Sequence, residues 1–204
     1  MGTVGTLLSG LTLFLNGLMS LGKANAKSVA YFNLFVGIIQ VVTPFYLVIT
    51  SDQSNWALYN NGVIFLFGLT FLYVAVTNLK ELEGDGLGWF SLWVAIITMI
   101  YGIVTLVQFH DTLGMITWMI WSFLWLLFYI SLTLKKNIDR YIGRVAIVVS
   151  WLTLTAPAMF TLTGISDSPF VKTLLMGGTI LAIIYFIVSG WSLKKASIVI
   201  PVNN

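Results

Sequence analysis

Seven long stretches of apolar residues run through the chain, and none of them contains a charged side chain. Each stretch is 20 to 24 residues long, about the length that an α-helix needs to cross roughly 30 Å of hydrocarbon. The pattern therefore predicts an all-α membrane protein with seven transmembrane helices. The predicted spans are 3–22, 28–50, 56–79, 86–109, 112–134, 145–166 and 173–193.

The composition agrees with this pattern and leaves little room for other structure. Hydrophobic residues make up 58% of the chain and charged residues 8%, whereas a soluble domain has about 25% charged residues. No loop is long enough to fold separately, so we expect a single transmembrane domain over residues 1–204. The first span lacks a basic leader and a small-residue cleavage site, which indicates a retained helix rather than a signal peptide. The chain has no cysteine, so disulfides do not contribute.

Basic residues fall almost entirely between alternate spans, on one predicted side of the membrane. Because basic loops are retained in the cytoplasm, the pattern predicts an outside N-terminus and a cytoplasmic C-terminus. Lys172 is the one basic residue on the other side. The net charge of +3 reflects this sorting and does not indicate nucleic-acid binding. The residues on the basic side are Lys23, Lys27, Lys80, Lys135, Lys136, Arg140, Arg144, Lys194 and Lys195.

Two sequence matches with the same offset of 58 residues indicate an internal repeat. Gly10-Leu11-Thr12 in span 1 recurs as Gly68-Leu69-Thr70 in span 3, and segment 32–39 in span 2 recurs as 90–97 in span 4. A fainter third copy covers 122–125 and 145–148. We therefore predict a two-helix hairpin used three times, plus an extra C-terminal helix. Spans 1, 3 and 5 would be equivalent and could enclose a path, although convergent apolar composition is the alternative.

The residues that the spans lack narrow the function. A charge at the bilayer centre costs at least about 2.5–3.5 kcal/mol, so it is kept only where function needs it. All seven acidic residues lie outside the spans, and the chain has one histidine. We therefore expect no catalytic residues, no metal site and no cofactor, and hence no enzyme. Passive passage of a small uncharged polar solute is the remaining interpretation.

A stripe of tryptophans in span 5 is the sharpest candidate for a solute path. Trp118, Trp121 and Trp125 share one helix face and reach mid-bilayer, where an interfacial aromatic belt does not explain them. Flat indole faces could form a slot for a planar neutral solute, with core packing as the alternative. Asn16, Asn33 and Gln40 could also line a path, or they could form hydrogen bonds between helices.

Several segments resemble the bacterial amide and urea channels of the AmiS/UreI family. The resemblance is carried, in order and at similar spacing, by Asn16-Gly17, Lys27-Ser28 and segments 33–37, 66–73, 89–96 and 118–126. It implies an inner-membrane channel of three two-helix hairpins for urea or short aliphatic amides. It also implies a homohexamer with a pore in each protomer and lipid filling the central hole, and a link to a cytoplasmic urease or amidase. The pore-lining residues that we expect are Ser9, Leu13, Asn16, Phe67, Phe71, Trp118, Trp121, Leu124 and Trp125.

Three positions depart from the family pattern. Family members often have tyrosine at the position of Phe71, and the glutamate and tryptophan of their sixth span correspond here to Val149 and Thr155. The outer loops hold a single histidine, His110, whereas acid-gated members are rich in histidine there. We therefore predict little gating by pH. The alternative functions are a secondary transporter of another neutral solute, and a sensor or assembly protein that does not transport.

Overall fold

The computed structural model describes residues 2–198, with side chains up to Trp191. The described residues form seven helices long and apolar enough to cross a membrane, which confirms the predicted all-α fold class. The predicted domain of residues 1–204 extends beyond them at both ends, and the side chains of Lys194 and Lys195 lie outside the described part. The helices are α1 (Gly2–Ser20), α2 (Ala26–Ile49), α3 (Asn55–Leu79), α4 (Asp85–Phe109), α5 (Thr112–Leu132), α6 (Asp139–Leu162) and α7 (Pro169–Ile198).

Several helices begin earlier than the charge-free windows. The sixth window starts at residue 145, but α6 starts at Asp139 and carries Arg140 and Arg144 in its first two turns. Likewise α7 starts at Pro169 and includes Lys172. A charged residue ends an apolar window, yet it fits the end of a helix, where its long side chain can reach the membrane surface. Hydropathy therefore locates the spans, but it places the start of a helix too late where charged residues occupy its first turns.

The first six helices form a closed ring with a period of two helices. The most extensive contacts join α2 to α3, α4 to α5, and α6 to α1, while the alternate neighbours touch less. The contact between α6 and α1 closes the ring. The seventh helix lies outside it and packs mainly against α6. This arrangement leaves the centre of the ring available for a path.

Small residues allow the close approach of each tightly packed pair. A Cβ atom at Gly68 of α3 would lie 2.8 Å from the backbone of Gln40 in α2, and one at Gly143 of α6 would lie 2.7 Å from the carbonyl oxygen of Gly17 in α1. The repeat places Ser122 of α5 at the corresponding position, where its Oγ donates to the carbonyl oxygen of Ala95 in α4 at 2.7 Å. Small residues at such contacts are the usual basis of helix association in membranes.

Short loops join the helices at two faces. Loops 21–25, 80–84 and 133–138 lie at one end of the ring and include Lys23, Lys80, Lys135 and Lys136, so we call this end the basic face. Loops 50–54, 110–111 and 163–168 lie at the other end, the opposite face, where α1 begins. Each loop contains one residue with positive φ, but only Gly22 and Gly164 are glycines.

Two helices, α3 and α6, depart from regular α-helical hydrogen bonding. The helix α3 is interrupted at Val63 between Gly62 and Ile64. The helix α6 contains a π-helical segment, Ser150–Thr155, in which the N–H of Ala156 donates to the carbonyl oxygen of Trp151. Pro157 follows and has no N–H, so the regular bond to Thr153 is lost. Such π-helical insertions are frequent at functional sites.

Candidate functional site

Two cavities lie inside the ring of six helices, and they meet at two aromatic side chains that line both. The mouth cavity, toward the opposite face, has a volume of about 250 Å³, and the narrow cavity, toward the basic face, has about 30 Å³. Phe67 and Trp121 line both. The mouth cavity is also lined by Gly2, Thr6, Ser9, Gln40, Val63, Ile64, Thr117, Trp118, Thr153 and Leu154. The narrow cavity is also lined by Leu13, Asn16, Thr70, Phe71, Val74, Leu87, Ser91, Leu124, Trp125 and Phe128.

The internal repeat explains which residues form these walls. The helices α1, α3 and α5 align on Gly10, Gly68 and Ser122, the three small residues of the repeat. One position earlier lie Ser9, Phe67 and Trp121, which all line the mouth cavity. Three positions later lie Leu13, Phe71 and Trp125, which all line the narrow cavity. The three odd-numbered helices therefore contribute matching layers to one path.

Aromatic rings fill the α3 and α5 side of the path. The ring centroid of Phe67 lies 4.7 Å from that of Trp121 and 5.2 Å from that of Trp125, and both pairs are edge to face. The two tryptophan rings lie 5.1 Å apart. Trp121 and Trp125 are only 5% and 2% exposed. The rings thus brace one another, which limits how far each can move.

The α1 side carries polar groups held by α2. The Nε2 of Gln40 donates to the carbonyl oxygen of Gly5 at 3.1 Å and to the Oγ of Ser9. Asn16 and Asn33 exchange hydrogen bonds, with Nδ2 to Oδ1 distances of 2.9 and 2.6 Å. These contacts join α1 to α2, as expected if Asn16, Asn33 and Gln40 form hydrogen bonds between helices. Ser9 nevertheless lines the mouth cavity and Asn16 the narrow cavity.

The tryptophans keep hydrogen-bond donors available. In the described part of the chain, the buried side-chain polar atoms that lack a partner are the Tyr59 hydroxyl and the Thr77 hydroxyl. The indole N–H groups of Trp118, Trp121 and Trp125 form no hydrogen bond with any described residue, and their nitrogen atoms are not fully buried. Such an N–H group can donate to the carbonyl oxygen of a molecule in the adjoining cavity.

The nine residues expected to line a pore all lie on the two cavities. Ser9 and Trp118 line the mouth cavity, and Leu13, Asn16, Phe71, Leu124 and Trp125 line the narrow one, with Phe67 and Trp121 common to both. Sequence reasoning missed the contribution of α6, Thr153 and Leu154, whose signal was the Pro157 that follows the π-helical segment. It also missed Leu87 and Ser91 of α4, which nothing in the repeat marks as lining residues.

No charged side chain lines either cavity among the described residues. The two departures in α6 are also away from both walls. Val149 is fully buried in the core, and Thr155 packs against Gly10, where a Cβ atom would lie 3.1 Å from the Thr155 nitrogen. The path is therefore neutral along its described length.

Charged groups lie at the two faces, where water can reach them. At the basic face the Lys27 Nζ lies 2.6 Å from a carboxylate oxygen of Glu81, and both side chains are exposed. The hydrogen bond and charge of Lys27 lower the pKa of Glu81. At the opposite face, hydrogen bonds from Ser54 lower the pKa of Asp52. Both carboxylates therefore stay charged near neutral pH.

The sequence matches a known family over most of its length. The model of AmiS/UreI family transporters matches residues 1–165, which include α1 to α6. The chain is 40% identical over 165 residues to AmiS2 of Rhodococcus erythropolis, covering 80% of each chain. It is 29% identical to the acid-activated urea channel of Helicobacter pylori, covering 73% of this chain and 91% of that protein.

Solved structures of that urea channel share the fold. A cryo-EM structure in the closed state superposes with a TM-score of 0.72 at 28% identity, covering 80% of this chain and 98% of that one. A crystal structure gives a TM-score of 0.69 at 30% identity, covering 79% and 97%. With its seven spans, the chain is a multi-pass protein of the inner membrane and not an enzyme. It belongs to the AmiS/UreI family of transporters.

Proposed function

We propose that the protein is a passive channel for urea and short aliphatic amides, which pass through the two cavities of each protomer. The observation that carries this proposal is the uncharged path whose two chambers meet at Phe67 and Trp121. The similar proteins agree with the substrate class. One is an acid-activated urea channel, and another, from Mycolicibacterium smegmatis, is named for the transport of amidate substrates.

The mouth cavity has the groups that a planar amide needs. Its carbonyl oxygen could accept from the Trp118 or Trp121 indole N–H. The Ser9 hydroxyl accepts from Gln40, which leaves its own hydrogen as a further donor. The aromatic faces would cover the apolar surfaces of the solute. A neutral amide thereby replaces part of its hydration with contacts to the wall. An ion would lose several kcal/mol of hydration free energy, which these uncharged walls do not replace.

The narrow cavity limits the size of the solute. One water molecule needs about 10–15 Å³ of such space, so the volume of about 30 Å³ holds two or three waters at most. Solutes must therefore pass in single file between Leu13, Phe71 and Trp125. This filter suits urea and acetamide and opposes larger or branched molecules. The nine residues from Ser9 to Trp125 named above would form the pore lining.

The assembly and orientation belong to the same proposal. We expect the basic face to be cytoplasmic, since seven basic residues with described side chains lie in its loops or near the helix ends there. We also expect a homohexamer with lipid in its central hole, and supply of a cytoplasmic urease or amidase. Outward-facing apolar side chains such as Phe35, Trp93 and Ile103 are available to contact lipid or neighbouring protomers.

A solute series tests the proposed function. Purified protein in liposomes is mixed rapidly with urea, acetamide or glycerol, and the recovery of vesicle volume is followed by light scattering. We expect rapid entry of urea and acetamide without any ion gradient, and slow entry of glycerol. A requirement for a proton or sodium gradient would indicate a secondary transporter, and permeability equal to that of empty liposomes would indicate a sensor or assembly protein.

A further inference from the structure

A third cavity lies beside the mouth of the path and shares a wall with it. This side pocket has a volume of about 290 Å³ and lies among α3, α4 and α5 at the opposite face. Val63 and Trp118 line both the side pocket and the mouth cavity. A molecule in the side pocket would therefore press on the same indole that borders the solute path.

Aromatic rings form one side of the side pocket. Tyr59 and Tyr101 stack with ring centroids 4.0 Å apart, and the Tyr101 hydroxyl donates to the carbonyl oxygen of Tyr59 at 2.9 Å. Tyr101 lies 5.3 Å from Trp118. Phe109 closes the series near the surface. These linked rings give the pocket rigid flat walls suited to a planar ring.

A carboxylate forms part of the other side. Asp111 caps α5 by accepting from the Gly114 N–H through Oδ1 at 2.8 Å, and its second oxygen stays available. Asp111 forms no ion pair with any described residue. The helix α4 ends and α5 begins at this point, so their opposed dipoles largely offset each other and the carboxylate sets the local charge.

The charge of the surrounding face also favours a cation. The loops of the opposite face carry Asp52, Asp111 and Asp167, against one lysine, Lys172, in the first turn of α7. An acidic surface raises the local concentration of cations. The polar groups of Asn60 and Thr105 complete the wall and can accept further hydrogen bonds.

We propose that the side pocket binds a planar organic cation, an aromatic amidinium or guanidinium, and that its occupant slows passage through the path. The two N–H groups of an amidinium match a carboxylate, and its aromatic ring fits between the flat walls. Such a ligand is too large to follow the permeant, because a cavity known to hold benzene measures about 150 Å³, whereas the narrow cavity has about 30 Å³. The binding of this cation does not depend on the proposed function, whereas its effect on passage rests on that function.

Benzamidine and its neutral isostere benzamide test the site on the full chain in detergent, by saturation-transfer NMR. We expect benzamidine to bind about tenfold more tightly than benzamide, because the neutral amide lacks the charge-assisted hydrogen bond to Asp111, and losing such a bond weakens binding by about this factor. Asp111→Asn should abolish the difference and keep the helix cap, since asparagine caps as well as aspartate. Asp167→Asn, on the same face, is the matched control. Equal binding by wild type and Asp111→Asn, or an equal loss in Asp167→Asn, would overturn the site.

Acetamide entry into liposomes tests the coupling to the path. Benzamidine should slow entry severalfold in wild type and leave Asp111→Asn unaffected. Binding without inhibition of a measurable flux overturns the coupling. Binding to a protein that shows no flux in its absence would refute the proposed channel and leave the site intact. Flux without binding would refute the site and leave the channel intact.

Discussion

The mouth cavity and the narrow cavity are built by the same three helices, yet their walls differ. In the mouth layer the repeat places Ser9 beside Phe67 and Trp121, and Gln40 adds a second polar group. In the narrow layer, the equivalent positions hold Leu13, Phe71 and Trp125. One turn of helix thus separates a layer with a serine hydroxyl from a layer of leucine and aromatic side chains that narrows the path. In the proposed channel, a solute that enters from the opposite face would therefore bind before it meets the size filter.

Widening the narrow layer should have the largest effect. The double variant Leu13→Ala and Phe71→Ala removes two of its three side chains, and we expect butyramide entry to rise about tenfold relative to urea, a change of about 1.4 kcal/mol in barrier height. Liposome shrinkage with both solutes measures the ratio. The matched control is Leu11→Ala with Leu69→Ala, equivalent repeat positions that face outward. An unchanged ratio in the first variant would place the size filter elsewhere.

Removing the polar group of the mouth layer should have a smaller effect. Gln40→Leu deletes the donor to Ser9 and Gly5, and we expect urea entry to fall about fivefold, close to the net contribution of one hydrogen bond of about 1 kcal/mol. Asn33→Leu is the comparison variant, because it breaks the other α1–α2 pair, with Asn16 of the narrow cavity, and leaves the mouth cavity untouched. If both variants slowed urea equally, general loosening of α1 against α2 would explain the result.

Changing the pH should have the smallest effect. Hydrogen bonding and charge lower the pKa of Glu81 in the folded protein. Its stabilising contribution is therefore complete above the ordinary carboxyl pKa and is lost only as the pH falls through the lowered value. Between pH 7 and pH 5 this carboxylate therefore stays mainly charged, and no charged side chain lines the path in the described part of the chain. We expect nearly constant urea flux over this range in wild type and in His110→Ala. A severalfold rise at pH 5 that His110→Ala removed would show gating by that histidine.

The contrast between the two layers shows how far the sequence alone could be interpreted. The spans followed from hydropathy, because only helices and closed barrels satisfy the backbone in lipid, and apolar runs of about 20 residues fit helices. The repeat indicated that α1, α3 and α5 are equivalent, and the spacing of Trp118, Trp121 and Trp125 marked one face of α5. The wall residues of the even-numbered helices were harder to predict from the sequence. The positions of Leu87, Ser91 and Leu154 depend on helix rotation and on the π-helical segment of α6, which are set by tertiary packing.

The break in α3 shows the same limit. Val63 separates two helical segments without any proline, and the first segment has no buried residue. The run Asn60-Asn61-Gly62 just before it is typical of a turn, but such a run inside an apolar window does not by itself fix an interruption. The side pocket also depends on residues far apart in the chain, since Tyr59, Tyr101 and Asp111 come from three different parts of it. Only the folded arrangement brings such residues together.

The central claim is that solutes pass between the rings shared by the two cavities, and Trp121→Ala tests it most directly. Stopped-flow light scattering of liposomes would compare urea, acetamide and glycerol entry in wild type, in Trp121→Ala, and in the outward-facing control Trp93→Ala. We expect Trp121→Ala to lower the preference for acetamide over glycerol about fivefold, since an aromatic contact contributes about 1 kcal/mol, and Trp93→Ala to match wild type. Unchanged selectivity in Trp121→Ala, with protein of normal yield and stability, would contradict the proposed path.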